Sequence, residues 1–231
     1  MRLTLAFLAL FAAYQLPEGV GQPVLLLAFF PLAYIAGRML SSTAARAYGL
    51  EWSRDAAVVT PAFFALAVLL KLGAVAAGLH LAIYQTDTPR TAGVATALSA
   101  GLLMTFLPSI AEDILTRGFW FRASGIRWTP WVFVAASSAI YVANHIYRLH
   151  LGYGEWLMLA TFGVAYALAV MRFQSLWPAV GLHWGWNYGN AVVDTIHPIT
   201  TMSSSGSRTL SICAHLVMAA VVLAPRGQRR L

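Results

Sequence analysis

Charge is scarce in this chain, and the scarcity excludes a water-soluble domain. Of 231 residues, 10% are charged and 59% hydrophobic, eight acids against fifteen bases. Mean hydropathy is +0.69. That is too little polar surface to cover a soluble globule of this size. Cysteine is reduced to Cys213, so no internal disulfide scaffold exists, and this residue reads as a small core side chain. Lysine is reduced to Lys71. The other fourteen bases are arginines scattered singly between apolar blocks, so the formal net charge of +7 does not come from a basic run that would bind nucleic acid. No His-Glu-x-x-His and no Gly-x-Ser-x-Gly occurs, which removes the two commonest local signatures of a zinc peptidase and a serine hydrolase.

What is abundant is apolar sequence. Crossing about 30 Å of hydrocarbon takes about 20 residues. Apolar blocks fall near residues 3 to 16, 23 to 40, 57 to 83, 93 to 121, 131 to 147, 156 to 171, 176 to 195 and 209 to 224. These predict an all-α, polytopic transmembrane helical bundle of about eight spans. In the first block, Arg2 and the stretch Leu3 to Ala13 also look like the start of a secretory signal; it is read here as a short span. Turn and helix-ending residues occupy the joints, Pro17 to Gln22, Ser41 to Asp55, Thr86 to Thr91, Gly125 to Pro130, Gly152 to Glu155 and His197 to Ser207. None is long enough for a soluble domain, so residues 1–231 are expected to form a single membrane domain.

With a cytoplasmic N-terminus, the inside joints hold Arg2, Arg38, Arg46, Arg54, Arg122, Arg127, Arg172, Arg226, Arg229 and Arg230. The outside joints hold Arg90, Arg148 and Arg208. Eight spans with both termini inside satisfy the positive-inside rule. Lys71 and Arg117 remain within spans; Lys71 reads as a snorkelling side chain or a partner for a backbone carbonyl.

An ionisable group buried in lipid costs about 2.5 to 3.5 kcal/mol or more, so a cluster of them faces the bundle interior and has work there. Three constellations qualify. Glu112, Asp113 and Arg117 stand on the fourth span. Asp113 and Arg117, four apart, share a helix face and can pair; Glu112 is rotated about 100° and is left over for chemistry. Tyr141 and His145 share a face of the fifth span, and His183 and Asn187 share a face of the seventh. At 1.5 Å per residue, Glu112 lies roughly 15 Å from the cytoplasmic face, His145 roughly 21 Å, and His183 and Asn187 roughly 10 and 16 Å. One polar cavity between three helices would need such depths.

A carboxylate beside a histidine can hold a water and take its proton, and a second histidine with an asparagine amide can donate to an oxyanion. No acyl-enzyme nucleophile is evident: Ser137 and Ser138 lie about two turns from His145, and Cys213 is remote in sequence. The alternative is that Glu112, His145 and His183 ligate Zn²⁺ with one position open for water, although three ligands from three helices give spacing little to say.

In these three motifs the chain resembles the CPBP family, the CAAX-protease and bacteriocin-processing group also described as glutamic-type intramembrane endopeptidases. The family pattern is Glu-Glu-x-x-x-Arg, then Phe-x-x-x-His, then His-x-x-x-Asn or Asp. Here Asp113 replaces the second Glu and Tyr141 replaces Phe, while His183 and Asn187 match fully, approached through Ser-Leu-Trp-Pro-Ala-Val-Gly-Leu. The resemblance covers residues 93 to 195; the spans within 3 to 83 carry no signature. It implies that Glu112 and His145 activate the hydrolytic water, that His183 and Asn187 stabilise the oxyanion, and that Asp113, Arg117 and Tyr141 support them. It also implies a peptide or protein substrate with a membrane-embedded or lipidated terminus, a place in a bacterial inner membrane, and no nucleic-acid partner. Cofactors are expected to be none, with Zn²⁺ as the alternative. The competing reading is a non-catalytic membrane binding or immunity protein, or a small transporter, using the same cavity; convergence of Glu112, His145, His183 and Asn187 separates the two. Trp184 and Trp186 read as packing, and His80, His150, His197, His215 and Asp194 receive no chemistry.

Overall fold

A computed structural model describes residues 2–15, 25–89 and 92–225. Within them the chain runs through α1 (Arg2–Gln15), a π-helical turn (Leu25–Phe29) leading into α2 (Phe30–Leu40), the short α3 (Ala44–Tyr48), and α4 (Arg54–His80). Next come α5 (Val94–Asp113), continued by a π-helical stretch (Ile114–Ala123), then α6 (Pro130–Asn144), a 3₁₀ segment (Ile146–Leu151), α7 (Tyr153–Phe173), α8 (Trp177–Ile196) and α9 (Ser204–Leu223). Two three-residue strands, β1 (Tyr84–Thr86) and β2 (Ile199–Thr201), pair antiparallel. The expected helical membrane bundle is thus the fold.

Each of the eight expected apolar blocks contains a helix among the described residues. Among the described residues four helices are long and apolar enough to cross a membrane, α4, α5 with its π-helical continuation, α7 and α9, and shorter apolar helices accompany them. The shorter α1 and α6, 14 and 15 residues, reach only about 21 to 22 Å at 1.5 Å per residue. Of α8, 20 residues long, the apolar character is diluted by His183, Asn187, Asn190 and Asp194. The helix α6 ends beside a polar space that its C-cap, His145, and residues of α8 both line.

Helix starts follow local chemistry. Ser53 and Ser203 accept backbone N–H groups of Ala56 and Gly206 at the starts of α4 and α9, and α6 and α8 carry proline in their first turn, where its missing N–H costs nothing. Between helices, contact depends on small residues. Gly181, Gly185 and Gly189 recur every four residues on the face of α8 that meets α4; a Cβ there would stand 2.5 Å from the Thr60 carbonyl oxygen, 2.3 Å from that of Phe64 and 2.8 Å from Lys71 Cβ. Lipid supplies no hydrophobic drive between helices, so close backbone approach along such a seam is what holds them.

Joints gather at two opposite ends. At one, Leu176 N–H and Trp177 Nε1–H donate to the Gly49 and Leu50 carbonyls, 2.8 and 3.0 Å, and Arg122 donates to the Gln174 carbonyl at 2.9 Å. At the other, β1 meets β2, Tyr84 Oη donates to Ser207 Oγ at 2.8 Å, and buried Glu155 pairs with Arg148 and Arg208. Arg38, Arg46 and Arg54 fall at the first end with Arg122, Arg127 and Arg172. The joint Pro17 to Gln22 and the bases Arg90, Arg226, Arg229 and Arg230 lie outside the described residues.

Candidate active site

Glu112 lies on α5 one turn beyond Pro108, and the backbone loosens to π-helical geometry directly after Asp113. Such wider turns recur at functional sites because they re-aim side chains within a helix. Here residues Ile114 to Phe119 are all buried. Asp113 and Arg117, both 0% exposed, form the expected ion pair. The guanidinium lies over the rings of Tyr141 and Tyr166, 4.7 and 5.0 Å from their centroids, and Nη1 also donates to Thr116 Oγ1 at 3.1 Å. Sandwiching the cation between aromatic faces reduces the cost of burying it.

Around Glu112 the two histidines converge. His145 Nε2 lies 3.5 Å from Glu112 Oε1, and His183 Nε2 lies 3.5 Å from Oε2. His145 stands beside Tyr141, ring centroids 4.7 Å apart, although α6 ends at Asn144 and His145 is its C-cap with φ −89° and ψ 50°. Its Nδ1–H donates to the Tyr141 carbonyl at 2.8 Å, satisfying an acceptor freed at the helix end. The ring therefore turns its Nε2 toward Glu112. His183 Nδ1 stands 3.5 Å from Asp113 Oδ1, so this ring lies between both carboxylates. It stacks on Tyr166 at 5.0 Å and 20°.

Asn187 lines the same cavity, about 350 Å³ in volume, together with Glu112, Tyr141, His145 and His183. Its Nδ2 donates to Ser109 Oγ at 3.0 Å, and Ser109 donates on to the Thr105 carbonyl at 2.7 Å. One amide N–H is thus used for anchoring and the other is left for the cavity. Ser137 and Ser138 donate to the Thr116 and Val134 carbonyls, a structural use for both. A larger cavity of about 690 Å³ between α4, α5 and α8 is walled by apolar side chains such as Phe64, Leu102, Phe106 and Trp184, and none of the four expected site residues lines it.

Sequence reading passed over several contributors. Asn144 Nδ2 donates to Glu112 Oε1 at 3.1 Å, and Gln15 Nε2 donates to Asn144 Oδ1 at 3.0 Å and to its carbonyl at 2.8 Å. A relay Gln15 to Asn144 to Glu112 thereby ties α1 to the acid. The signal for Asn144 was its position beside His145 at the end of an apolar block; Gln15 had none. His215, assigned no chemistry, is fully buried. Its Nδ1–H donates to the Ser211 carbonyl and its Nε2 accepts the Tyr166 hydroxyl, both 2.8 Å, so it braces the tyrosine on which His183 stacks. Trp186 packs on Phe162 and His215.

Among the described residues, no three His, Cys, Asp or Glu side chains form a group arranged to hold a metal ion. The alternative ligand set Glu112, His145 and His183 therefore finds no ready cage among the described residues.

A buried carboxylate flanked by two imidazoles and an amide, in a polar cavity inside a helical membrane bundle, is a site that can activate water. Residues 93–189 match the family described as Rce1-like, Type II CAAX prenyl endopeptidase Rce1-like. The match contains all three motifs and agrees with the resemblance drawn from them to the CAAX proteases of the CPBP group. That description is of an endopeptidase, and the match spans 97 of the 231 residues. No curated protein and no solved structure matches the chain.

Proposed function

We propose that the protein is an intramembrane endopeptidase that cuts a peptide bond near a membrane-held or lipidated C-terminus, with Glu112 as general base. The observation that carries this reading is the placement of Glu112 between His145 Nε2 and His183 Nε2, 3.5 Å from each. Oε1 and the lone pair of His145 are two acceptors facing each other, and a water donating one hydrogen to each satisfies both. That water attacks the carbonyl carbon as Glu112 takes its proton. The oxyanion that forms accepts from His183 Nε2–H and the remaining Asn187 N–H. Collapse breaks the C–N bond, and Glu112 returns the proton to the departing amine, leaving a carboxylic acid and a new amino terminus.

The apolar groove supports the lipidated substrate. Trp184 faces it while His183, one residue earlier on α8, faces the polar cavity, so a lipid chain and its peptide could bind on adjacent faces of one helix. A binding protein or transporter has no comparable need for two imidazoles on one carboxylate. The positive-inside rule supports a cytoplasmic Arg-rich end.

The test is hydrolysis of a prenylated C-terminal peptide by the detergent-purified protein. Glu112→Gln keeps size and hydrogen bonding but cannot act as base, so cleavage falls at least 10²–10⁴-fold, and His183→Ala loses about 10²–10³-fold. Undiminished cleavage by Glu112→Gln would refute the mechanism.

A further inference from the structure

Three basic side chains line or adjoin the polar cavity, and two are neutralised. Arg117 is held by Asp113, and Arg148, on the cavity wall, is held by Glu155. The third, Lys71, comes from α4, in the part of the chain without a motif. It is half-buried and lines the cavity that contains Glu112. Its Nζ lies 4.9 Å from the centre of the Trp186 ring. Among the described residues Lys71 makes no ion pair within 4 Å and no hydrogen bond; Asp194, exposed further along α8, acts on it only from beyond that distance. A cation inside a membrane bundle is normally paired, so one that faces a cavity with all its N–H donors unused calls for a ligand of opposite charge.

The position of the cation along α8 is equally informative. His183, Asn187 and Asn190 follow at intervals of four and three and form a polar stripe along the cavity wall. Lys71 packs its Cβ and Cγ over Gly189 on the same helix, where a Cβ would stand 2.8 Å from both. From His183 to Asn190 the helix rises about 10 Å. An extended peptide gains about 3.3 to 3.6 Å per residue, so the same stretch spans about three residues. With the Lys71 ammonium over Trp186, a substrate whose scissile carbonyl sits at Glu112 brings its chain end near Lys71 when only a few residues follow the cut.

We propose that Lys71 recognises the free C-terminal carboxylate of the substrate and so restricts cleavage to bonds close to a chain end. This rests on the endopeptidase reading, with Lys71 as a specificity-determining residue that takes no part in bond breaking. Asn190 and Ser207, in the same wall, supply further hydrogen bonds to the carboxylate.

The test separates recognition from chemistry. Binding of a farnesylated peptide acid and of its C-terminal amide is measured on Glu112→Gln protein, which leaves both intact. The acid binds about tenfold or more tightly than the amide, as one desolvated charge-assisted contact implies. Adding Lys71→Met, which keeps the Cβ and Cγ that pack on Gly189, abolishes the difference, and Lys71→Arg retains most of it. A Lys71 that only packs against Trp186 would leave acid and amide equal in every background. That result, or an acid preference that persists in Lys71→Met, overturns the proposal. Hydrolysis of the acid peptide by the wild-type protein tests the underlying reading separately: a protein that prefers acid through Lys71 yet cleaves nothing keeps the carboxylate site and loses the peptidase.

Discussion

Replacing Gly185 by alanine tests how α8 is held. The added Cβ would lie 2.3 Å from the Phe64 carbonyl oxygen, where ordinary contact begins at 3.4 Å, so about 1 Å of separation must open. Because the obstacle is backbone, no rotamer change relieves it, and the α4–α8 seam must move as a unit. Alanine is favoured over glycine within a helix by about 1 kcal/mol, but overpacking costs about 1 to 3 kcal/mol, and separating the helices also weakens the contacts at Gly181 and Gly189. The expected net loss is about 1 to 2 kcal/mol, a fall in Tm of a few degrees. Activity should drop further than stability: His183 and Asn187 ride on the displaced helix, and a misplacement of about 1 Å can cost about 10²-fold. Gly73→Ala on α4, with nothing within 4 Å of the new Cβ, is the control and should be neutral or slightly stabilising. Thermal unfolding and peptide hydrolysis are measured on both in the same detergent. If Gly185→Ala matches Gly73→Ala in both assays, the seam does not set the position of α8.

Two further outcomes follow from the buried polar groups. Asn144→Ala leaves Glu112 Oε1 without its 3.1 Å donor and should lower kcat about tenfold or more with little change in KM, while Gln15→Ala, one step further out, has a smaller effect in the same direction; equal and large KM increases would point to substrate binding instead. Arg117→Met strands the buried Asp113 and should destabilise by about 3 to 5 kcal/mol, whereas the double variant with Asp113→Leu recovers much of that stability because no buried charge is left unpaired; additive losses in thermal unfolding would contradict this account.

Legibility in the sequence followed the range of the interactions. Apolar block length gave the helices, because one helix needs only its own residues to satisfy its backbone in lipid. Asp113 with Arg117, and His183 with Asn187, were readable because i to i+4 partners are set within one helix. Tyr141 and His145 are neighbours as their spacing suggests, with rings 4.7 Å apart, but the side-chain hydrogen bond with which His145 ends its helix is a local event that spacing does not announce. Gln15, Asn144, Lys71 and His215 carried too little local signal to be assigned a role at the site. The repeat of Gly181, Gly185 and Gly189 was visible as a small-residue pattern, but which helix it faces was not.

By itself, the sequence determined that this chain is a helical membrane protein, that very few ionisable groups are buried in it, and that Glu112 is the acid free of a neighbouring base on its own helix. These are consequences of transfer free energy and helical period, which act on residues near one another in the chain. Only the tertiary structure decided that Glu112 stands between two imidazoles, that Asn144 and Gln15 brace it, that α6 ends beside the cavity, and that Lys71 lines that cavity with no acid within ion-pair distance. Those depend on close approach between helices, set by where glycines let backbones meet, and no periodicity within a single helix contains that information.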